Sequence, residues 1–243
     1  ARCWRWSEAT MSASRTVLPE ILDKLPPQDP RARRSRRDLA RVHYAMGSAG
    51  WLARSVRALP TPPRRILELG AGDHTLWLRV ARALGARGRG TELTLLDRHD
   101  LLEPRTAAGY ASLGWRVQVA ARDVRDWLRD APGAPGAPWD LVTASLFLHH
   151  FDDDELAVLL RAVAARSLAF VAWEPRRSGV AHLGSRLVAL LGANAVTRED
   201  AVTSVAAGFA GSELAARWPA GGWRTRERAV GPFGHGFVAV RAP

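Results

Sequence analysis

The sequence predicts an α/β protein built on a doubly wound, mostly parallel sheet that ends in a hairpin. Three observations predict it. From Arg65 onward, short leucine- and valine-rich runs alternate with helical patterns, the signature of strand–helix–strand crossovers. The first run is followed by Gly70-Ala71-Gly72, a turn that lifts backbone N–H groups toward a ligand at the next helix. After five alternations the pattern changes to a helix pair and two adjacent strand-like runs.

The chain of 243 residues is long enough for a substantial core, and its 47% hydrophobic and 24% charged content is that of a globular protein. A single cysteine, Cys3, excludes a disulfide framework and cysteine-rich zinc sites. His182 and Arg186 break the longest apolar stretch, so no membrane-spanning segment is expected. The N-terminus lacks the apolar core of a signal peptide, and cytoplasm is the expected compartment. Formal charge is +11, yet every basic residue except Lys24 is arginine. Such skew marks arginine as the general surface cation, and a nucleic-acid partner is not the first expectation. Only 31–41 is dense, with arginine at 31, 33, 34, 36, 37 and 41, and its continuation through Leu39, Val42 and Met46 predicts a solvated helix face.

Residues 1–16 read as a disordered extension with Met11 as natural start, 17–60 as an N-terminal helical cap, and 61–243 as the main domain. Within the cap, 12–30 is weakly patterned and 25–30 is a loop. A helix is expected over 32–46, stopping at 47–50 and resuming through Trp51, Leu52 and Val56. Met46 and Trp51 line either the crevice or the core. Strands follow at 66–69, 93–96, 116–120, 140–145 and 168–173, with a helix starting near Trp127 and a structureless loop over 131–138. Asp152-x-x-Glu155 predicts a capping box that opens a helix through Leu156, Leu159, Leu160 and Val163. A helix over 184–191, a second box at Thr197-x-x-Asp200, and strands at 223–230 and 236–241 complete the chain.

The glycine turn distinguishes two kinds of cofactor site. A dinucleotide fingerprint wants a third glycine where this chain has Thr75. Glu68-x-Gly70-x-Gly72 instead resembles the first motif of class I S-adenosylmethionine-dependent methyltransferases. Further stretches are similar to a bacterial group of small class I methyltransferases associated with type III polyketide synthases: Arg36-Arg37-Asp38-Leu39, Leu95-Leu96-Asp97-Arg98, 146–151, Glu174-Pro175-Arg176-Arg177, Asn194-Ala195-Val196-Thr197 and Phe237-Val238-Ala239. The resemblance covers nearly everything from Val17 to Arg241. It implies a Rossmann-like, seven-stranded sheet whose last strand is antiparallel. Three positions depart from the group: His74 replaces a usual glycine, Ser145 an asparagine, and Trp173 a small residue.

The resemblance also implies roles. Glu68, Gly70 and Gly72 frame the methionine end of S-adenosylmethionine, with Ser145 near it. Asp97, which ends the second strand, takes the ribose hydroxyls. Asp123 accepts from the adenine amino group while the Val124 N–H meets a ring nitrogen. Leu148-His149-His150-Phe151-Asp152 is similar to the motif after the fourth strand in plant-type small-molecule O-methyltransferases, where the first histidine is the general base. His149 therefore is the expected base, neutral near pH 7, and His150, its neighbour, is expected to face elsewhere. The competing reading is that both histidines only pack the loop. His235 and Glu174 are secondary candidates, and no spacing announces a metal site. The expected activity is methyl transfer to a small phenolic or polyketide-like hydroxyl. Two alternatives remain at this point: an RNA or protein acceptor bound by the arginine-rich helix, and a degenerate binding partner of a biosynthetic enzyme.

Overall fold

The computed structural model describes residues 14–130 and 138–242; all but the last residue of the expected loop over 131–138 and most of the 1–16 extension lie outside them. Seven strands form one sheet in the order β3-β2-β1-β4-β5-β7-β6. They are β1 (Arg65–Leu69), β2 (Glu92–Asp97), β3 (Arg116–Ala121), β4 (Leu141–Ser145), β5 (Ala169–Pro175), β6 (Trp223–Val230) and β7 (Gly234–Arg241). The first five are parallel, with Leu67 level with Thr94 on one side and Val142 on the other. β7 runs antiparallel to β5, with Val171 opposite Val238. The seven strands and the antiparallel last strand are as the sequence predicts.

Alternation along each strand makes two cores. Leu67, Leu69, Val142, Ala144, Phe170 and Ala172 pack toward α5 (Val124–Arg129), α6 (Asp153–Arg166) and α9 (Glu213–Arg217). Ile66, Leu93, Leu95, Val171 and Trp173 pack on the other face, toward α2 (Ser48–Arg57), α3 (Thr75–Leu84) and α4 (Pro104–Ser112). Winding reverses between β1 and β4, the switch point at which an open sheet leaves a crevice beyond its strand ends.

Several helix starts differ from the sequence expectation. The helix expected over 184–191 is α7 (Gly179–Arg186), followed by a separate 3₁₀ turn, Val188–Leu191. Ser178 caps α7 through a bond from Ala181 N, which places the start five residues early. α8 (Ala195–Ala207) is capped by Asn194, which accepts from Thr197 N at 2.8 Å. Asp200, expected to close a box there, instead accepts from Ile21 N and Leu22 N. Asp152 does cap α6, but Glu155 pairs with Arg125 rather than reaching back. For Glu155 and Asp200 a distant partner outcompetes the local one.

The cap contains α1 (Pro30–Ala45), α2 and an extended strap before them, with one 3₁₀ turn at Leu22–Lys24. The strap is tied to α8: Thr16 N donates to Ala206 O, and the Arg15 guanidinium donates to Ala207 O and Phe151 O. Asp38, buried in α1, accepts from Asn194 N at 2.9 Å. These bonds lay the strap across the strand ends.

Candidate active site

β1 ends at Leu69 because Gly70 and Gly72 turn the backbone to φ +67° and +57°, a region that a Cβ disfavours. A side chain at Gly70 would also collide with the Phe147 ring. Gly70 N and Ala71 N bond to Leu96 O, and Gly72 N donates to Asp97 Oδ2 at 2.9 Å. The turn is thereby fixed against the end of β2. Asp97 Oδ1 accepts from His99 N, so the carboxylate is oriented from both sides.

Asp123 caps α5, its Oδ1 accepting from Arg125 N at 2.7 Å while Oδ2 accepts nothing among the described residues. Glu68 lies lower in the wall. Its carboxylate is buried and accepts from Trp77 Nε1 at 2.6 Å and from Thr143 Oγ1. Burial pushes its pKa up to about 7, against those hydrogen bonds. Ser145 Oγ is near enough to oppose that rise slightly, yet it makes no hydrogen bond of ordinary geometry. Glu68, Gly70, Gly72, Asp97, Asp123, Val124 and Ser145 line one cleft of about 560 Å³, within the range of small-molecule sites, roughly 300–1,000 Å³.

The other half of the cleft holds a charged network. The turn after β4, Leu148–His150, is held by Glu174 at the end of β5, whose Oε1 accepts from Phe147 N and Leu148 N at 3.0 Å. Glu174 Oε2 meets His149 Nδ1 at 2.8 Å, and Glu20 Oε1 from the strap meets His149 Nε2 at 3.3 Å. Ser204 of α8 donates to the same Glu20 oxygen. Burial alone would lower the His149 pKa, but hydrogen bonds and charge from Glu174 and Glu20 outweigh it and push the value up to about 9. Burial likewise would raise Glu20, but His149 holds it below the usual carboxylate value. His149 is thus an imidazolium at pH 7, which corrects the neutral ring expected from sequence.

His150 does not face elsewhere. It lines the same cleft, with its ring centroid 4.3 Å from that of His149 and its Nδ1 3.3 Å from Asp23 Oδ2. A tight 3₁₀ turn lets neighbouring side chains share a wall. Glu20, His149 and His150 bring donor atoms within 4.8 Å of one another, a convergence that no sequence spacing announces. Each ring already faces a carboxylate, His149 toward Glu174 and Glu20 and His150 toward Asp23.

No family model and no curated protein matches this chain. Solved structures do. The plantazolicin methyltransferase BpumL, in complex with a monoazolic desmethylPZN analog and SAH, is 11% identical with a TM-score of 0.61, covering 88% of this chain and 91% of that one. An O-methyltransferase family protein from Burkholderia thailandensis is 18% identical with a TM-score of 0.53, covering 88% of this chain and 61% of that one. Magnesium protoporphyrin IX methyltransferase (ChlM) from Synechocystis PCC 6803 with bound SAH is 13% identical with a TM-score of 0.50, covering 87% and 93%. The fold is that of class I methyltransferases.

On this methyltransferase fold the cleft collects Glu68, Gly70, Gly72, Asp97, Asp123, Val124, Ser145 and His149 together. Other expected residues fall elsewhere. His235 is buried in the β6–β7 hairpin, bonded to Glu227 at 2.6 Å, and is not part of the cleft. Met46 and Trp51 border a second hollow beside Arg54 and Val230; Arg36, Leu39, Ala40 and His43 of α1 line the main one instead. His74 takes φ 62°, and its imidazole is buried outside the cleft wall. Glu174, the other secondary candidate, is bonded to His149 Nδ1. Sequence reading missed Glu20 and Asp23. Their only signal was acids within the apolar run Val17-Leu18-Pro19-Glu20-Ile21-Leu22-Asp23.

Proposed function

We propose that this chain transfers a methyl group from S-adenosylmethionine to the hydroxyl of a small phenolic or polyketide-like acceptor. One observation carries the reading: the glycine turn, Asp97 and Asp123 share a single cleft with the buried Glu174–His149 pair. The residues suit the cofactor. Two left-handed glycines leave a cradle, Ser145 Oγ is a buried polar atom short of a partner, and Asp97 and Asp123 retain lone pairs for ribose and adenine. When bound, S-adenosylmethionine supplies a methyl already activated by its sulfonium. The fold shared with SAH-bound methyltransferases supports the same reading.

The chain's own work is to align the acceptor, exclude water and take one proton. A phenol has a pKa near 10, so it needs a base at neutral pH. His149 serves when an acceptor hydroxyl replaces Glu20 at Nε2. Losing that carboxylate removes one of the two groups that stabilise the imidazolium, so the ring gives up its Nε2 proton to solvent more readily. Glu174 stays on Nδ1 and holds the tautomer that keeps Nε2 free to accept. The strap covers the acceptor end and shields the reaction from water. Calorimetric titration with S-adenosylmethionine and SAH tests the cofactor half, and labelled methyl transfer to a panel of phenols tests the acceptor half. Cofactor binding without transfer to any hydroxyl would overturn the acceptor assignment; no cofactor binding would overturn the reading altogether.

A further inference from the structure

A surface helix in a globular protein ordinarily turns its aliphatic residues inward. α7 and the 3₁₀ turn after it do the opposite. Val180, Leu183, Leu187, Leu190 and Leu191 are 49–81% exposed, while the residues facing α8 are the small Ala181 and Ser185. Their spacing of three, four, three and one residues keeps all five on the outer side. Gly184 extends the face, because its missing Cβ lets the half-exposed Phe233 ring lie against the helix. Scattered exposed leucines mean little, but a contiguous apolar face is a contact surface.

The charge around this face has one sign. From Gly179 to Asn194 the chain contains Arg186 and no carboxylate. α1 packs against the 3₁₀ turn and brings its arginines with it; Arg34 donates to Gly192 O at 3.3 Å, directly after Leu191. The Arg33 and Arg37 side chains are exposed and make no hydrogen bond or ion pair among the described residues. The one acid within α1, Asp38, is buried and turned to Asn194 and Arg41. The arginine-dense stretch thus has a place: it rims an aliphatic face.

We propose that this face docks on an anionic lipid surface, with the leucines entering the headgroup–acyl boundary and the arginines meeting lipid phosphates. The composition favours a bilayer over a protein partner. Protein hot spots are rich in tryptophan, tyrosine and arginine set in pockets, with leucine under-represented. Here the exposed face is aliphatic, with Phe233 the aromatic at its edge, and arginines flank it, as in helices that lie in the membrane plane. No helix of the described residues is long and apolar enough to cross a membrane, so the contact is peripheral. The proposal is independent of the chemistry in the cleft.

Co-sedimentation with vesicles of phosphatidylglycerol and phosphatidylcholine tests it, beside pure phosphatidylcholine vesicles. Wild-type protein should bind the anionic vesicles, bind neutral ones at least about tenfold less, and release as salt shortens the Debye length. The double variant Leu187→Ser with Leu190→Ser should lose at least about tenfold of that binding, while Val158→Ser, an exposed apolar position on α6, should lose none. Both side chains point to solvent, so unchanged melting is expected and circular dichroism checks it. Absence of vesicle binding by folded wild type would overturn the proposal. So would binding that the double variant keeps, or a dimer in light scattering that the same variant abolishes, since a second copy then covers the face.

Discussion

The two halves of the cleft are built differently. The cofactor half is made by residues at the ends of successive strands β1, β2 and β3, each fixed by backbone hydrogen bonds within a few residues of its strand. The half proposed for the acceptor is made by side chains from positions 20, 149 and 174, the first more than a hundred residues from the others, held by buried charge. The first half is a set of turns whose carboxylates are oriented by backbone N–H groups. The second is a closed network of buried histidine and carboxylate groups, which on the proposed reading an incoming hydroxyl opens. Binding and chemistry therefore answer to different perturbations.

The largest expected effect lies in the acceptor half. His149→Ala should lower turnover by about 100- to 10,000-fold while cofactor affinity, read by calorimetry, stays nearly constant. Near-normal turnover in that variant would show that His149 only packs the turn, and would merge the two halves into one structural unit. Next comes stability. The folded His149 pKa, about 9, lies above its ordinary 6.5, so its contribution is full below 6.5 and is lost as pH rises through 9. Denaturant titration should show roughly 3 kcal/mol disappearing across that window. Glu68 is also raised, from 4.5 to about 7, so part of the alkaline decline below 7 belongs to it. His149→Gln should flatten the decline above 7 and leave the lower portion.

The cofactor half is expected to respond more gently. Asp97→Ala should weaken S-adenosylmethionine binding roughly 10- to 150-fold through the loss of a charge-assisted hydrogen bond. It should leave the acceptor network intact, so the alkaline stability profile of the variant should match wild type. Unchanged cofactor affinity in a folded variant would remove Asp97 from the site. The smallest effect sharpens the contrast. The pH profile of kcat/KM reports the free enzyme and should inflect near 9, whereas that of kcat reports the complex and should inflect lower, once the acceptor has displaced Glu20. Glu20→Gln should move the kcat/KM inflection down toward that of kcat. Coincident inflections in wild type would mean that Glu20 never leaves Nε2.

What could be read in advance follows this division. The strands were legible because each is a short apolar run between turn residues, and the hairpin strands Trp223–Val230 and Gly234–Arg241 stood out as an adjacent pair. Gly70, Gly72, Asp97 and Asp123 were legible because their positions are set by the strands they terminate. The capping boxes at Glu155 and Asp200 were misread because a local bond was assumed where Arg125 and the strap offered stronger partners. Glu20 was not legible at all. Nothing in its neighbourhood says that the strap folds back across 129 positions to reach a histidine.

By itself, then, the sequence determined the order of strands and helices, the turn that can cradle a cofactor, and the two acids on its rim, because these depend on periodicity and on backbone conformations that only certain residues adopt. Tertiary structure alone decided the protonation state of His149, the sharing of one wall by His149 and His150, and the outward turn of the leucines on α7. Protonation depends on which carboxylates are brought within hydrogen-bond distance in a buried place, and exposure depends on which face of a helix its neighbours cover. Both are properties of long-range packing, and a local pattern does not encode them.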